Sequence, residues 1–247
     1  MLWGVFSDIH SNLEALEAVL ETFSRSGVEG YICCGDMIGY GPSPNEVVER
    51  IAGLKPLYAV TGNHDLAVLG RMDLKWFNPY AQAAAIWTRW KLSREAADFL
   101  EVMPDRCENE AFTVVHGSPR NPAEEYLLTA QQFLDNLTHF KVSPCFVGHS
   151  HLTWCFSKDE TNPMGARNYI LSDRERVILK SGVPWVINSG SVGQPRDHDP
   201  RASCGIYDDV KREFVLLRVP YDISSVQRRM RDVGLPEFLI LRLAYGQ

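Results

Sequence analysis

Over the first two thirds of the chain, short apolar runs rich in β-branched and aromatic residues alternate with longer segments whose apolar residues recur at helical spacing. The first run, Leu2-Trp3-Gly4-Val5-Phe6, reads as a strand. Residues 12–25 read as a helix with Leu13, Leu16, Leu20 and Phe23 on one face and Ser11 or Asn12 placed to cap its first turn. Further strands are predicted over 31–34, 57–60, 112–115 and 145–147, and helices over 45–52, 80–90, 94–102 and 131–137. This alternation predicts α/β layering around a largely parallel sheet. The aromatic residues Trp76, Phe77, Tyr80, Trp87 and Trp90 fall at helical spacing and predict packing into the core.

From residue 152 onward the runs are shorter, with strands expected over 152–156, 168–171, 177–179, 185–187, 204–207 and 214–219. They predict a second sheet stacked on the first, giving an α/β sandwich of two mixed β-sheets flanked by helices, with closing helices over 222–233 and 237–244. No repeat, low-complexity tract or Gly/Ser linker interrupts the pattern, so residues 1–247 are expected to form one domain.

Composition narrows the function. The chain has 247 residues, 45% hydrophobic and 23% charged, with a net charge of -6. Nothing in that balance draws it to a polyanion or an anionic membrane, so nucleic acid is not an expected partner. No stretch supplies the roughly 20 apolar residues of a membrane span, and no basic segment with a cleavage site follows Met1, so the expected location is cytoplasmic. The six cysteines form no C-x-x-C pair; Cys33, Cys34 and Cys145 lie in apolar runs and read as reduced core residues.

The chemistry stands where the early strands end. Polar clusters follow five of the apolar runs: Asp8-Ile9-His10, Gly35-Asp36, Gly62-Asn63-His64-Asp65, His116-Gly117 and Gly148-His149-Ser150-His151. In an open α/β sheet the carboxyl ends of parallel strands line one edge, where ligands bind, so all five clusters are expected to converge. Together they supply oxygen and imidazole donors suited to Mn, Fe, Zn or Co, and their number fits two divalent ions better than one. Asp36 can bridge, because a carboxylate has two oxygens. The two-residue spacing in Asp8-x-His10 and His149-x-His151 is that of side chains on one side of an extended backbone. Only His139 and His198 lie outside these clusters.

In that order the five clusters resemble the signature of the calcineurin-like metallophosphoesterase family, D-x-H, G-D, G-N-H-[DE], H and G-H-x-H, with no motif missing between residues 8 and 151. Beyond 151 the likeness, through Gly190 to Arg196 and Asp199 to Ala202, is to a bacterial and archaeal branch without assigned substrates. The resemblance implies the calcineurin-like fold, one ion on Asp8, His10, Asp36 and His151, and a second on Asp36, Asn63, His116 and His149. It further implies in-line attack on phosphorus by a metal-bridging hydroxide, with Asp36 and His64 as catalytic residues and His64 near the leaving oxygen as acid or donor. Gly39 and Tyr40 stand where the protein Ser/Thr phosphatase branch carries an Asp and an Arg, which argues against a phosphoprotein substrate.

The expected function is therefore metal-dependent hydrolysis of a small phosphate mono- or diester, with a non-catalytic scaffold and a metal-dependent nuclease as rivals. Arg196, Arg201 and Arg120, in loops near the clusters, are candidate substrate contacts, as is Tyr40 between its glycines. Oligomeric state, native metal and the partner of His64 have no sequence signal.

Overall fold

The computed structural model describes residues 1–162 and 165–247. The strands are β1 (Leu2–Phe6), β2 (Gly30–Cys33), β3 (Leu57–Ala59), β4 (Arg106–Glu108), β5 (Thr113–Val115), β6 (Cys145–Val147), β7 (Thr153–Lys158), β8 (Ala166–Ile170), β9 (Arg176–Ile178), β10 (Trp185–Ser189), β11 (Ala202–Asp208) and β12 (Glu213–Val219). The helices are α1 (Leu13–Arg25), α2 (Pro44–Ala52), α3 (Asn63–Val68), α4 (Pro79–Lys91), α5 (Arg94–Glu101), α6 (Ala130–Asn136), α7 (Ile223–Asp232) and α8 (Glu237–Arg242).

The strands form two six-stranded mixed sheets in the orders β3-β2-β1-β11-β12-β9 and β4-β5-β6-β10-β7-β8. The expected sandwich is therefore present, but its strands are shared out differently. The early strands do not build one largely parallel sheet. Parallel β1, β2 and β3 belong to the first sheet and parallel β5 and β6 to the second, and late strands complete both. β11 lies antiparallel beside β1, and β10 parallel beside β6. Ladder bonds join backbone to backbone, so an apolar run reveals that it is a strand without revealing its neighbour.

Alternation along β1 explains the layering. Trp3 and Val5 face the other sheet and join Ile32, Phe112, Val114, Phe146 and Ile187 in the inter-sheet core. Phe6 faces outward onto the helical layer, with Leu16, Val19 and Phe23 of α1 and Val47 and Ile51 of α2. Each such fully buried side chain contributes about 1.5–3 kcal/mol. Helix α1 starts where Asn12 Oδ1 accepts the Ala15 N–H (3.1 Å). Helix α6 covers the second sheet through Phe133. A smaller cluster joins α4, α7 and α8 around Tyr40, beside the carboxyl ends of the strands.

One expectation fails in the helices, and one helix goes beyond the predicted set. The apolar face of α4 is its small residues, Ala81, Ala84 and Ala85, so Trp90 is 84% exposed and Trp76, just before the helix, 83% exposed. The segment after β3 is a helix, α3, whose first residues are Asn63 and His64. Among the described residues no helix is long and apolar enough to cross a membrane.

Candidate metal centre

The five clusters converge, across both sheets, at the carboxyl ends of β1, β2, β3, β5 and β6. The backbone that delivers them is not extended. Asp8, His10, Asp36, His149 and His151 all have left-handed φ values, between 49° and 66°. The two-residue spacing therefore works through tight turns rather than through a strand face. Each such residue costs on the order of 1 kcal/mol or more, which the surroundings must over-determine. Asp8 N–H donates to Gly35 O (3.0 Å) and His10 N–H to Asp36 O (3.1 Å), locking the first cluster onto the second. His149 N–H donates to Asp8 Oδ1 (3.1 Å), and Gly193 N–H to Asp8 O (3.0 Å). Gly62 and Gly148 are required by contact: a Cβ at Gly62 would collide with the Asp36 carboxylate, and one at Gly148 with Ser7 and Asp8.

Two groups of donors result, Asp8, His10, Asp36 and His151 in one and Asp36, His116 and His149 in the other, all buried. Asp36 Oδ2 lies 3.7 Å from His10 Nε2 and 3.4 Å from His116 Nε2. Asn63 Oδ1 lies 3.0 Å from His116 Nε2 and completes the second group. All seven residues expected as ligands are thus together.

Each imidazole is held by its outer nitrogen. His10 Nδ1 donates to Ile38 O (3.2 Å), His116 Nδ1 to Cys34 O (2.8 Å), His149 Nε2 to Glu124 O (3.2 Å) and His151 Nδ1 to Gln194 O (2.6 Å). A carbonyl only accepts, so the proton of each neutral ring sits on the outer nitrogen and the inner one presents a lone pair. The inner nitrogens then meet in pairs, His10 Nε2 with His151 Nε2 at 3.1 Å and His116 Nε2 with His149 Nδ1 at 3.2 Å. Where both rings are neutral, as at His10 and His151, lone pairs so placed repel unless a cation stands between them. Charge points the same way. Burial holds His10 and His151 below the usual imidazole range and His149 at about 3, so these rings stay neutral. Burial also opposes the charge on Asp8 and Asp36, but the neighbouring imidazoles, charged His116 among them, outweigh it and keep both ionised. His116 goes up to about 9, because Asp36 overcomes the desolvation. The metal-free centre is left with net negative charge, as a divalent-cation site requires.

His64 stands beside this centre. Its main-chain N–H donates to Asp36 Oδ1 (2.8 Å), and its ring packs among His10, Tyr40 and Phe77 with centroids 4.4–4.9 Å away. Burial lowers it to about 4. Its Nδ1 is buried with no hydrogen-bond partner. Asp65 does not reach it: Asp65 Oδ1 accepts Ile38 N–H (3.1 Å) and Oδ2 accepts Gly62 N–H (2.9 Å), fastening the two loops that carry Asp36 and Asn63.

A cavity of about 600 Å³ opens on His64, Asp36 and Asn63, and Tyr40 and Arg196 line it. Arg120 and Arg201 do not. Arg120 is paired with Glu125 and Asp135, and Arg201 with Asp199 and Asp173. Trp76, Phe77, Tyr126, Phe238 and Arg242 also line the cavity, and among these the sequence singled out only the two aromatics at 76 and 77, as core. Tyr126 stacks on His149 at 3.8 Å between centroids. No local motif marks Tyr126, Phe238 or Arg242; α8 reaches the site only through its packing on α4 and α7.

Two stacked mixed sheets with a buried carboxylate and imidazole centre at the ends of their strands define a metallophosphoesterase. The chain belongs to the calcineurin-like phosphoesterase superfamily, whose domain model matches residues 1–211. Phosphoester hydrolysis is the chemistry of that family. The crystal structure of a metallophosphoesterase from Sphaerobacter thermophilus is 42% identical and superposes with a TM-score of 0.89, covering 100% of this chain and 99% of the other. The uncharacterized protein MJ0912 of Methanocaldococcus jannaschii is 36% identical over 249 residues, 99% of this chain and 98% of the relative. A shorter match, 38% identical over 71 residues, covers 25% of this chain and 39% of Phosphodiesterase YfcE of Escherichia coli.

Proposed function

We propose that this protein is a dinuclear-metal phosphoesterase that hydrolyses a small phosphate mono- or diester. The observation that carries the reading is two imidazole pairs, His10 against His151 and His116 against His149, that turn their inner nitrogens on one another with Asp36 between them. In this reading Asp8, His10, Asp36 and His151 hold one divalent ion, and Asp36, Asn63, His116 and His149 hold the other; Mn, Fe, Zn and Co all suit these donors. Two such ions, when bound, supply positive charge for a phosphoryl group and make water acidic enough to act as a nucleophile near neutral pH.

The protein's own groups do the remaining work. A buried nitrogen without a partner is tolerated better as a bare acceptor than as an N–H, so His64 carries its proton on Nε2 and donates it as a hydrogen bond to the leaving or phosphoryl oxygen. Tyr40 packs edge-on against His10 at 4.7 Å and holds both rings in place. Arg196 offers a guanidinium to substrate oxygen. The partial match to a phosphodiesterase supports including diesters among the substrates to be tried.

The experiment is hydrolysis of p-nitrophenyl phosphate beside bis-p-nitrophenyl phosphate by metal-stripped protein titrated with Mn, Zn, Co or Mg. Turnover is expected to need added metal and to collapse in Asp36→Asn and His64→Ala. Undiminished turnover in Asp36→Asn would sink the reading.

A further inference from the structure

Two arginines line the cavity, and only Arg196 belongs to a segment the sequence marks out. Arg242 closes α8, beyond the residues that match the family model, and lines the same cavity as His64 and Tyr40. Its guanidinium carbon sits 5.5 Å from the centre of the Phe238 ring, one turn earlier on the helix, and its Nε donates to the main-chain oxygen of Gln247. Arg196 is fixed by its main-chain N–H, which donates to His151 O (3.3 Å), and by Nη2, which donates to Gln194 Oε1 (3.1 Å). Its Nε is buried and without a partner.

Among the described residues no Asp or Glu pairs with either side chain; Arg196 has only the neutral Gln194, and Arg242 has the α-carboxyl oxygen of Gln247. Half-buried Arg212 likewise has only main-chain oxygens, those of Leu179 and Ser143, whereas two other arginines are held by carboxylates. Arg218 is paired with Asp197, and Arg201 with Asp199 and Asp173. Burial lowers Arg242 to about 10, and the charge of Arg196 presses the same way while Tyr40 opposes it. Two half-buried like charges on one cavity, of which Arg196 has no anionic partner, are costly, and an anion received between them lowers that cost. The cavity, at about 600 Å³, has the size of a site for a whole small molecule rather than for phosphate alone.

Building on the phosphoesterase reading, we propose that Arg196 and Arg242 together grip a second oxyanion of the substrate, so that the preferred ester carries a further phosphoryl or carboxylate group besides the phosphoryl that reacts. The reacting group is provided for at the metal centre, and the guanidinium forks match a phosphoryl or carboxylate through paired N–H donors. An ester lacking the second anion leaves the Arg196 guanidinium without an anionic partner, which is how the site discriminates.

The test is calorimetric binding to the Mn-loaded protein in a His64→Ala background, which suppresses turnover during the titration. Two ligand pairs are compared, ADP against AMP for a second phosphoryl, and phosphoglycolate against ethyl phosphate for a carboxylate. In at least one pair the ligand with the second anion is expected to bind at least about tenfold more tightly, the value of one charged hydrogen-bonded contact. Adding Arg242→Gln should shrink that ratio to within about threefold, and Arg242→Lys should restore part of it. No preference in either pair, a preference that survives Arg242→Gln, or an equal weakening of all four ligands would overturn the proposal. If chromogenic esters are hydrolysed but no preference is found, the second-anion site falls and the catalytic reading stands. If the preference is found but no ester turns over, the site stands and the catalytic reading falls.

Discussion

His10 Nε2 and His151 Nε2 face each other at 3.1 Å while the opposite nitrogen of each ring donates to a main-chain carbonyl, that of Ile38 and that of Gln194. The fold thus holds two lone pairs together in a buried place, and a cation among them turns repulsion into bonding. Metal should therefore stabilise the fold as well as load the site. With Mn at a thousandfold excess over its Kd, the gain is about 4 kcal/mol, and Tm should rise by on the order of 10 °C over protein in EDTA. Differential scanning calorimetry of the two samples checks this; coincident transitions would remove the case for a metal centre.

His64→Ala should lower kcat by about 10²–10⁴ while metal content, read by elemental analysis, stays at the level of the unsubstituted protein. The ring is absent from both donor groups, so its loss should cost catalysis without costing ions. A fall of less than about tenfold in kcat would rule out the donor role.

Asp65→Ala should be among the more destabilising single changes. It strands the buried N–H groups of Ile38 and Gly62, at about 1–3 kcal/mol each. Asp65→Asn should recover less than half, because an amide can accept through only one of its two ends. Urea unfolding gives the stability, and a parallel metal titration should show weaker affinity, since those N–H groups position the loops of Asp36 and Asn63.

Glu125 gives the stability of the fold a defined dependence on pH. The Arg120 guanidinium, opposed by partial burial and helped by Ser118 and Asn136, holds its carboxyl down to about 2, below its ordinary value of 4.5. Its contribution is whole above the unfolded value and is lost as pH falls through the folded one. Glu125→Gln should therefore destabilise the protein at about pH 6, and the difference from the unsubstituted protein should shrink steadily from about pH 4.5 to about pH 2. Unfolding midpoints across that range measure it; a difference independent of pH would show that packing, rather than charge, is what the substitution removes.

Trp76 is 83% exposed yet lines the cavity. Trp76→Ala should change stability by no more than about 0.5 kcal/mol. KM for aryl phosphate esters should rise by about threefold or more, reflecting lost contact with the ring. Steady-state kinetics beside thermal unfolding separates the two effects.

The chain's own order of residues determined a good deal. Apolar runs of three to five residues that stop just before the clusters of Asp8, Asp36, Asn63, His116 and His149 announce strand ends and carry the candidate ligands with them, because burial on a sheet face and polar chemistry at its edge are local demands on composition. Donor type is equally local: an imidazole or a carboxylate brings its chemistry wherever the chain takes it. Tertiary structure alone decided which strands share a sheet, since β1 finds β11 some 200 positions away by main-chain bonds that no side-chain pattern encodes. It alone set the left-handed turns at Asp8, His10 and His151, which are held by contacts such as His149 N–H to Asp8 Oδ1 across 141 residues. It alone brought Arg242 and Phe238 of the last helix to the cavity and left Trp76 at its rim, because those placements follow from how whole helices pack on one another. Periodicity reports which face of an element is buried; what lies against that face is fixed only when the whole chain has closed on itself.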